Sequence, residues 1–368
     1  MKKKIIISIL LVILALGAII PAVGGAEDLV LKSLDPVVDF PMGITFSASA
    51  QSPADIVDMR LHYMVERQGF ARIVSEIKPS FTASRSVTAS WTWDMRMTGG
   101  MPPGTSIDYW WTAVDADGAE QETLPGNLVL QDNRYDWESI TEGMVTLYWY
   151  SGGDDFAGEL MDATQDALTR LSDTAGAELE EPVSLYIYKD SAALRGALIF
   201  AQEWTGGVAF TQYGVVAIGI GTSASELEWG KRTIAHELTH LVTAQVVANP
   251  YGDMPTWLSE GLSMYAEGDL QSTFTNVFGT ALRDGSLISV RSLASPFSTD
   301  DFNAYLSYAE SYYLVDYLIS RYGRDKMLEL LDTLSEGTTY DNALLQVYGF
   351  DMDGLNTEWQ AYVETAVS

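Results

Sequence analysis

Apolar and polar residues alternate over short stretches early in the chain and recur at helical spacing late in it. Residues 44–50, 56–65, 86–93 and 107–114 are partly alternating and rich in β-branched or aromatic side chains, the pattern of half-buried strands. Gln51-Ser-Pro53, the glycine- and proline-rich stretch 99–104, Asp115-Ala-Asp-Gly118 and Pro125-Gly126 punctuate them. This density of strands over 27–134 predicts an all-β sandwich, immunoglobulin-like or fibronectin-like. Near residue 135 the pattern changes. Residues 144–150 and 183–188 read as strands, and 208–221 supplies one or two more. Between them, 156–171 places Leu160, Ala163, Ala167, Leu168 and Leu171 on one side of a helix. Helices then dominate, over 226–248, 256–267, 304–322, 325–335, 340–347 and 353–366. The chain is therefore expected to be multidomain. An α+β unit over 135–368 follows the sandwich, with a sheet-and-helix part to residue 268 and a helical part over 269–368.

The first residues have a different character. Lys2, Lys3 and Lys4 precede an almost unbroken apolar run over 5–20, then Pro21 and the small residues Ala22-Val-Gly-Gly-Ala26. That is the layout of a signal peptide over 1–26. A helix over 5–20 spans about 24 Å, short of a bilayer core of about 30 Å, which favours cleavage over an uncleaved anchor. Either reading places the remainder outside the cytoplasm, secreted or membrane-anchored. No second long apolar run follows, so membrane contact is expected only through this segment.

Composition narrows the chemistry. The 368 residues are 47% hydrophobic and 19% charged, enough apolar content for a sizeable core. Lys+Arg number 21 against Asp+Glu 50, a net charge of −29. A chain so acidic is poorly suited to neutralising phosphates, which argues against nucleic-acid partners and anionic membrane surfaces. It has no cysteine, which excludes disulfides, thiolate metal sites and cysteine nucleophiles. Its 3 histidines are His62, His236 and His240. His62 lies in a predicted strand with nothing nearby to complete a metal site, so its expected role is structural. Asp115-Ala-Asp-Gly118 and Asp351-Met-Asp-Gly354 lack the full oxygen-ligand spacing of a calcium loop and read as turns.

The remaining two histidines fall in Thr233-Ile-Ala-His-Glu-Leu-Thr-His-Leu-Val242, an HExxH motif. On a helix, positions i and i+4 share a face, so His236 and His240 can present imidazole nitrogens to one zinc ion. Glu237 projects about 100° further round the helix, beside the metal but too poorly aimed to ligate it. Ile234, Leu238, Leu241 and Val242 give this helix an apolar side for the core. A catalytic zinc site needs a third protein ligand and an open position. After Asn249-Pro250 and Pro255, a second helix reads Thr256-Trp-Leu-Ser-Glu-Gly-Leu-Ser-Met-Tyr-Ala-Glu267. An antiparallel return can bring Glu260 back to the metal. Glu267, two turns on, shares its face. It is an alternative ligand, or it accepts the free N–H of a ligand histidine.

HExxH followed by a Trp-Leu-x-Glu-Gly-Leu helix resembles the gluzincin metallopeptidases. The spacing is similar to the aminopeptidase-N-type enzymes, and closer still to the broad peptidase MA-like group. The resemblance covers about residues 140–365 and is most specific over 226–322. It implies that His236, His240 and Glu260 bind zinc and that Glu237 is the general base. The segment over 306–318 resembles the family's SYxKG stretch, whose tyrosine steadies the tetrahedral intermediate. The matching residue is Tyr308, with Tyr305, Tyr312 and Tyr313 as competitors, and Glu310-Ser311 replaces the Lys-Gly. The family's aminopeptidases also carry a GAMEN string whose acid binds the substrate amine. Here the loosely corresponding segment, 206–220, contains no acid. It reads as a sheet edge along which an extended substrate can pair.

The leading expectation is an extracytoplasmic zinc metallopeptidase acting on peptide or protein substrates, an endopeptidase in preference to an aminopeptidase. Two alternatives stand beside it. One is a catalytically inactive envelope protein that uses the scaffold for binding or adhesion. The other is a zinc hydrolase of a different amide bond.

Overall fold

The structure, a computed structural model, describes residues 28–202, 205–249 and 254–367. The expected signal segment, 1–26, lies outside the described residues. Among the described residues no helix is long and apolar enough to cross a membrane.

The first unit contains β1 (Val30–Asp39), β2 (Gly43–Val65), β3 (Ser75–Ile77), β4 (Ser84–Asp94), β5 (Ser106–Asp115), β6 (Glu120–Glu122) and β7 (Gly126–Val129). The sequence predicts two strands where β2 runs through Gln51-Ser-Pro53 as one. Its pairing with β4 shifts register between Gln51 and Ile56. Proline has no N–H to donate, so it is tolerated in a strand at such an irregularity. Before the irregularity β2 pairs with β1 and β4; beyond it, with β3, β5 and, at Ile56 alone, Ser84 of β4. All seven strands thus form one hydrogen-bonded sheet, not the separate pair of sheets that a sandwich implies. The sheet folds across itself. Phe46 of the first half lies 5.2 Å from Tyr109 of β5, and Tyr63 of the second half lies 4.9 Å from Trp93 of β4. Alternate residues Ile44, Phe46, Ala48 and Ala50 fill the space between the layers.

The second unit begins with β8 (Glu138–Glu142), β9 (Val145–Trp149), α1 (Gly153–Ala175), β10 (Val183–Tyr188), α2 (Ser191–Arg195), β11 (Gly207–Phe210) and β12 (Val215–Gly219). Its sheet has the order β11-β12-β10-β9-β8. The three inner strands are parallel and the two edges antiparallel. Inner strands buried on both faces should be apolar throughout, and alternation assigns each face its own core. Leu147, Leu185, Ile187, Val216 and Ile218 join the helices, whereas Tyr186, Tyr188, Val215 and Ala217 join the first unit. The junction is held by Asp132, buried beneath the linker. It accepts two hydrogen bonds from Arg134, both at 2.7 Å, and one from the Tyr188 hydroxyl at 3.0 Å. Arg134 also donates to the Gly196 carbonyl at 2.7 Å.

The helical part comprises α3 (Ala224–Val246), α4 (Thr256–Ala266), α5 (Ser272–Asp284), α6 (Val290–Leu293), α7 (Asp301–Tyr322), α8 (Arg324–Ser335), α9 (Tyr340–Tyr348) and α10 (Met352–Val367). Ser223 and Glu226 form a reciprocal capping box that starts α3. The sequence reading omits α5. Its Ser, Thr, Val and Gly content gives weak helix propensity, and packing of Phe278 and Ala281 supplies what propensity does not. The first aspartate motif is a turn, as expected, with Asp115 accepting from the amides of Asp117 and Ala119. The second is instead the start of α10, where Asp351 caps the helix by accepting the Gly354 N–H.

Glu310, on α7, is fully buried and accepts the Ile288 N–H at 2.9 Å, while its Oε2 has no hydrogen-bond partner. Burial pushes this carboxyl up to about 8. The folded chain therefore keeps a proton that the unfolded chain releases near its ordinary value of 4.5, and stability falls as pH rises between these values. The slope from this one group is at most about 1.4 kcal/mol per pH unit. Thermal melts of Glu310→Gln should show a shallower loss of stability across this window. An unchanged slope contradicts the assignment.

Candidate metal centre

Helix α3 carries His236 and His240 one turn apart, with ring centroids separated by 5.0 Å. Helix α4 packs on α3 and carries Glu260. On its other side α4 is backed closely by α7, an approach that Gly261 permits, because a Cβ there would lie 2.4 Å from the Ser311 carbonyl oxygen. Ligand atoms of His236, His240 and Glu260 all lie within 4.8 Å of one another. Glu260 Oε2 is 3.3 Å from His236 Nε2 and 3.7 Å from His240 Nε2. It is buried and has no partner in hydrogen-bonding geometry.

The outer faces of both rings are held. His236 Nδ1 lies 2.8 Å from Glu267 Oε1. His240 Nδ1 lies 3.0 Å from Ser259 Oγ, with Ser263 Oγ at 3.3 Å. With Nδ1–H donating outward, each Nε2 lone pair is left facing Glu260, the tautomer a metal requires. Glu267 thus sits behind His236 and outside the converging trio. The sequence reading missed Ser259 and Ser263. Their signal, a serine before Glu260 and another a turn later, has meaning only once the two helices face each other.

The electrostatics are those of a crowded, dry site. Burial pushes Glu237 up to about 6. Burial also lowers His240. For His236 burial acts the same way, but Glu260 and Glu267 outweigh it and hold the imidazole above its ordinary value. Burial would raise Glu260, yet the two imidazoles keep it below the usual carboxylate range. Three carboxylates gathered with two imidazoles out of water are costly without a compensating cation. The trio of two nitrogens and one oxygen, with an orphaned carboxylate oxygen between the rings, fits a divalent ion that accepts mixed N/O ligands.

Glu237 points instead toward β11. A Cβ on Gly207 would lie 3.0 Å from Glu237 Oε1, so only glycine lets this edge strand approach so closely. Gly207 is a third residue that sequence reasoning did not single out. Tyr308 lies across the site, its ring centroid 6.4 Å from that of His236 and steadied edge-on by Phe297. Burial raises its phenol above the ordinary value, so it stays protonated. Its competitors pack elsewhere: Tyr305 on Phe274, Tyr312 on Tyr265 and Tyr313 on Phe278. His62 is distant in the first sheet, stacked on Trp110 and 2.9 Å from Thr112 Oγ1. The metal group opens into a cleft of about 1430 Å³ between β11 and the loop that follows β2.

A family model of the Peptidase MA superfamily matches residues 163–365, more than half of the chain. No curated protein matches it. Among solved structures, the chain is similar to OgpA from Akkermansia muciniphila, at 11% identity over 29% of this chain and 28% of that one, with a TM-score of 0.21. It thus spans less than a third of OgpA's length. It is also similar to an M1 zinc metallopeptidase from Deinococcus radiodurans, at 12% identity over 91% and 93% of the two chains, TM-score 0.40. Aminopeptidase A from Legionella pneumophila matches at 11% identity over 89% of this chain and 50% of that one, also with a TM-score of 0.40.

Elemental analysis of the dialysed protein should find one divalent ion per chain. His240→Ala and Glu260→Ala should lose it, Glu267→Gln should weaken its retention by about 10- to 100-fold, and Glu237→Gln should retain it. Undiminished metal in His240→Ala contradicts the ligand assignment.

Proposed function

The chain belongs to the Peptidase MA superfamily, and from that premise we propose that it is an extracytoplasmic zinc metallopeptidase of gluzincin type, with His236, His240 and Glu260 as ligands. The observation that carries this reading is the buried, unpartnered Glu260 Oε2 facing two imidazole nitrogens. The lysine-led apolar stretch at the start of the chain supports the extracytoplasmic location.

A zinc ion held there by His236, His240 and Glu260 would supply Lewis acidity to a scissile carbonyl and to a water. The protein's own groups do the rest. Glu237 lies beside the trio without belonging to it, so it is free to take a proton from the attacking water. Burial tunes it toward a pKa at which it can also return that proton to the leaving amine. The protonated Tyr308 hydroxyl is the donor for the developing oxyanion. The free edge of β11, brought against Glu237 by Gly207, is where an extended substrate pairs backbone to backbone.

The cleft supports an endopeptidase. Apart from Glu237 and Glu260, its described lining contains no carboxylate to bind a substrate's terminal ammonium. A peptide whose N-terminus is acetylated should therefore be cut internally. Cleavage restricted to free N-termini would indicate an aminopeptidase.

Purified zinc-loaded protein should degrade an unfolded protein such as casein, lose this activity to a chelator and regain it with zinc. Glu237→Gln should reduce turnover by about 10²- to 10⁴-fold. Tyr308→Phe should lower kcat by about 10²-fold or more with metal content unchanged. Full activity in Glu237→Gln would reject the mechanism. Zinc binding without turnover on any substrate would favour the non-catalytic scaffold.

A further inference from the structure

The first unit contributes one wall of the cleft. After β2 the chain reaches over to the second unit, and Gln68 pins it there. Its backbone N–H donates to the Gln212 carbonyl at 2.8 Å, and its side chain donates to the Pro182 carbonyl at 2.9 Å. Its Oε1 accepts from Gln245 Nε2 at 3.1 Å, on the helix that carries both metal-site histidines. The pinned loop then places Phe70, 61% exposed, and Ile73, 71% exposed, on the lining of the same cleft as Glu237, His240 and β11.

Isolated exposed apolar side chains need no explanation. Two large ones on an anchored loop, lining the same cleft as the metal group, are a different matter. The character of the cleft sharpens the point. In a chain of net charge −29, the described lining outside the metal group and Glu237 carries a single charged side chain, Arg67, whose guanidinium lies 5.8 Å over the Tyr213 ring. The volume, about 1430 Å³, exceeds the roughly 300–1,000 Å³ of small-ligand sites and suits several residues of extended chain.

We propose that Phe70 and Ile73 form an apolar side-chain subsite of this cleft, selecting extended polypeptide segments that carry large apolar residues. The occupant's identity rests on the peptidase reading. Under that reading, β11 holds the substrate backbone on one side and the first unit reads its side chains on the other. The substrates are then unfolded or loosely structured proteins, whose apolar residues are accessible. Phe70 and Ile73 touch no reacting atom and act on specificity alone.

The test separates binding from turnover. In the full-length, zinc-loaded Glu237→Gln protein, fluorescence anisotropy measures the affinity for a short dansyl-labelled peptide rich in Leu and Phe. A twin with those residues changed to Ser serves as the comparison. The apolar peptide should bind at least about ten-fold more tightly. Adding Phe70→Ser and Ile73→Ser should remove most of that preference, and Phe70→Leu with Ile73→Leu should keep it. Circular dichroism confirms folding, and each single serine variant provides a milder version of the same test. Equal affinity for the two peptides, or a preference that survives the serine changes, overturns the subsite. Casein cleavage by the unmutated chain reads the peptidase proposal separately. Cleavage without any apolar preference defeats the subsite alone, whereas a preference lost with the serine changes in a chain that cuts nothing defeats the peptidase reading alone.

Discussion

Everything in the second unit is arranged around one costly act, the burial of His236, His240, Glu260, Glu237 and Glu267 in a single pocket. Their side chains are largely withdrawn from water, and the acids outnumber the bases. Hydrogen bonds satisfy the outer atoms of the imidazoles, but they leave Glu260 Oε2 without a partner. A divalent cation held between the rings would resolve that imbalance. The close contact of α4 with α7 at Gly261 and the glycine-permitted approach of β11 at Gly207 both set how tightly the group is enclosed.

The fold holds this pocket with a sheet used on both sides. One face packs against α1, α3 and the C-terminal helices. The other, through Tyr186 and Tyr188, packs against the folded-over sheet of the first unit. The first unit is thereby more than an appendage. The Asp132–Arg134–Tyr188 cluster fastens it at the linker, and Gln68 fastens it at the mouth of the cleft. Two separated attachments fix its orientation better than either could alone, and the loop between Gln68 and β3 is held along the cleft.

Much of this was legible in the sequence because helical periodicity is a local property. The four-residue spacing of His236 and His240 and the seven-residue spacing of Glu260 and Glu267 placed these residues on common faces before any coordinates. The inner strands of the second sheet were visible as short apolar runs. What was not legible depends on contacts between distant segments. Pro53 reads as a strand break, yet β2 passes through it because the ladder shifts register there. The composition of α5 hides a helix that tertiary packing sustains. The choice among four tyrosines on one helix depended on which faced the metal group, and the sequence left all four open. Gly207, Ser259 and the Phe70–Ile73 wall are ordinary residues until a neighbouring element gives them something to approach.

The most direct test of the account is X-ray absorption at the zinc edge of the full-length, zinc-loaded protein, compared with its Glu260→Ala variant. The account predicts two imidazole nitrogens and a carboxylate oxygen at about 2.0–2.2 Å in the unmutated chain, with the carboxylate contribution absent from the variant or the metal lost altogether. A coordination shell without imidazole, or one unchanged by removing Glu260, would contradict it.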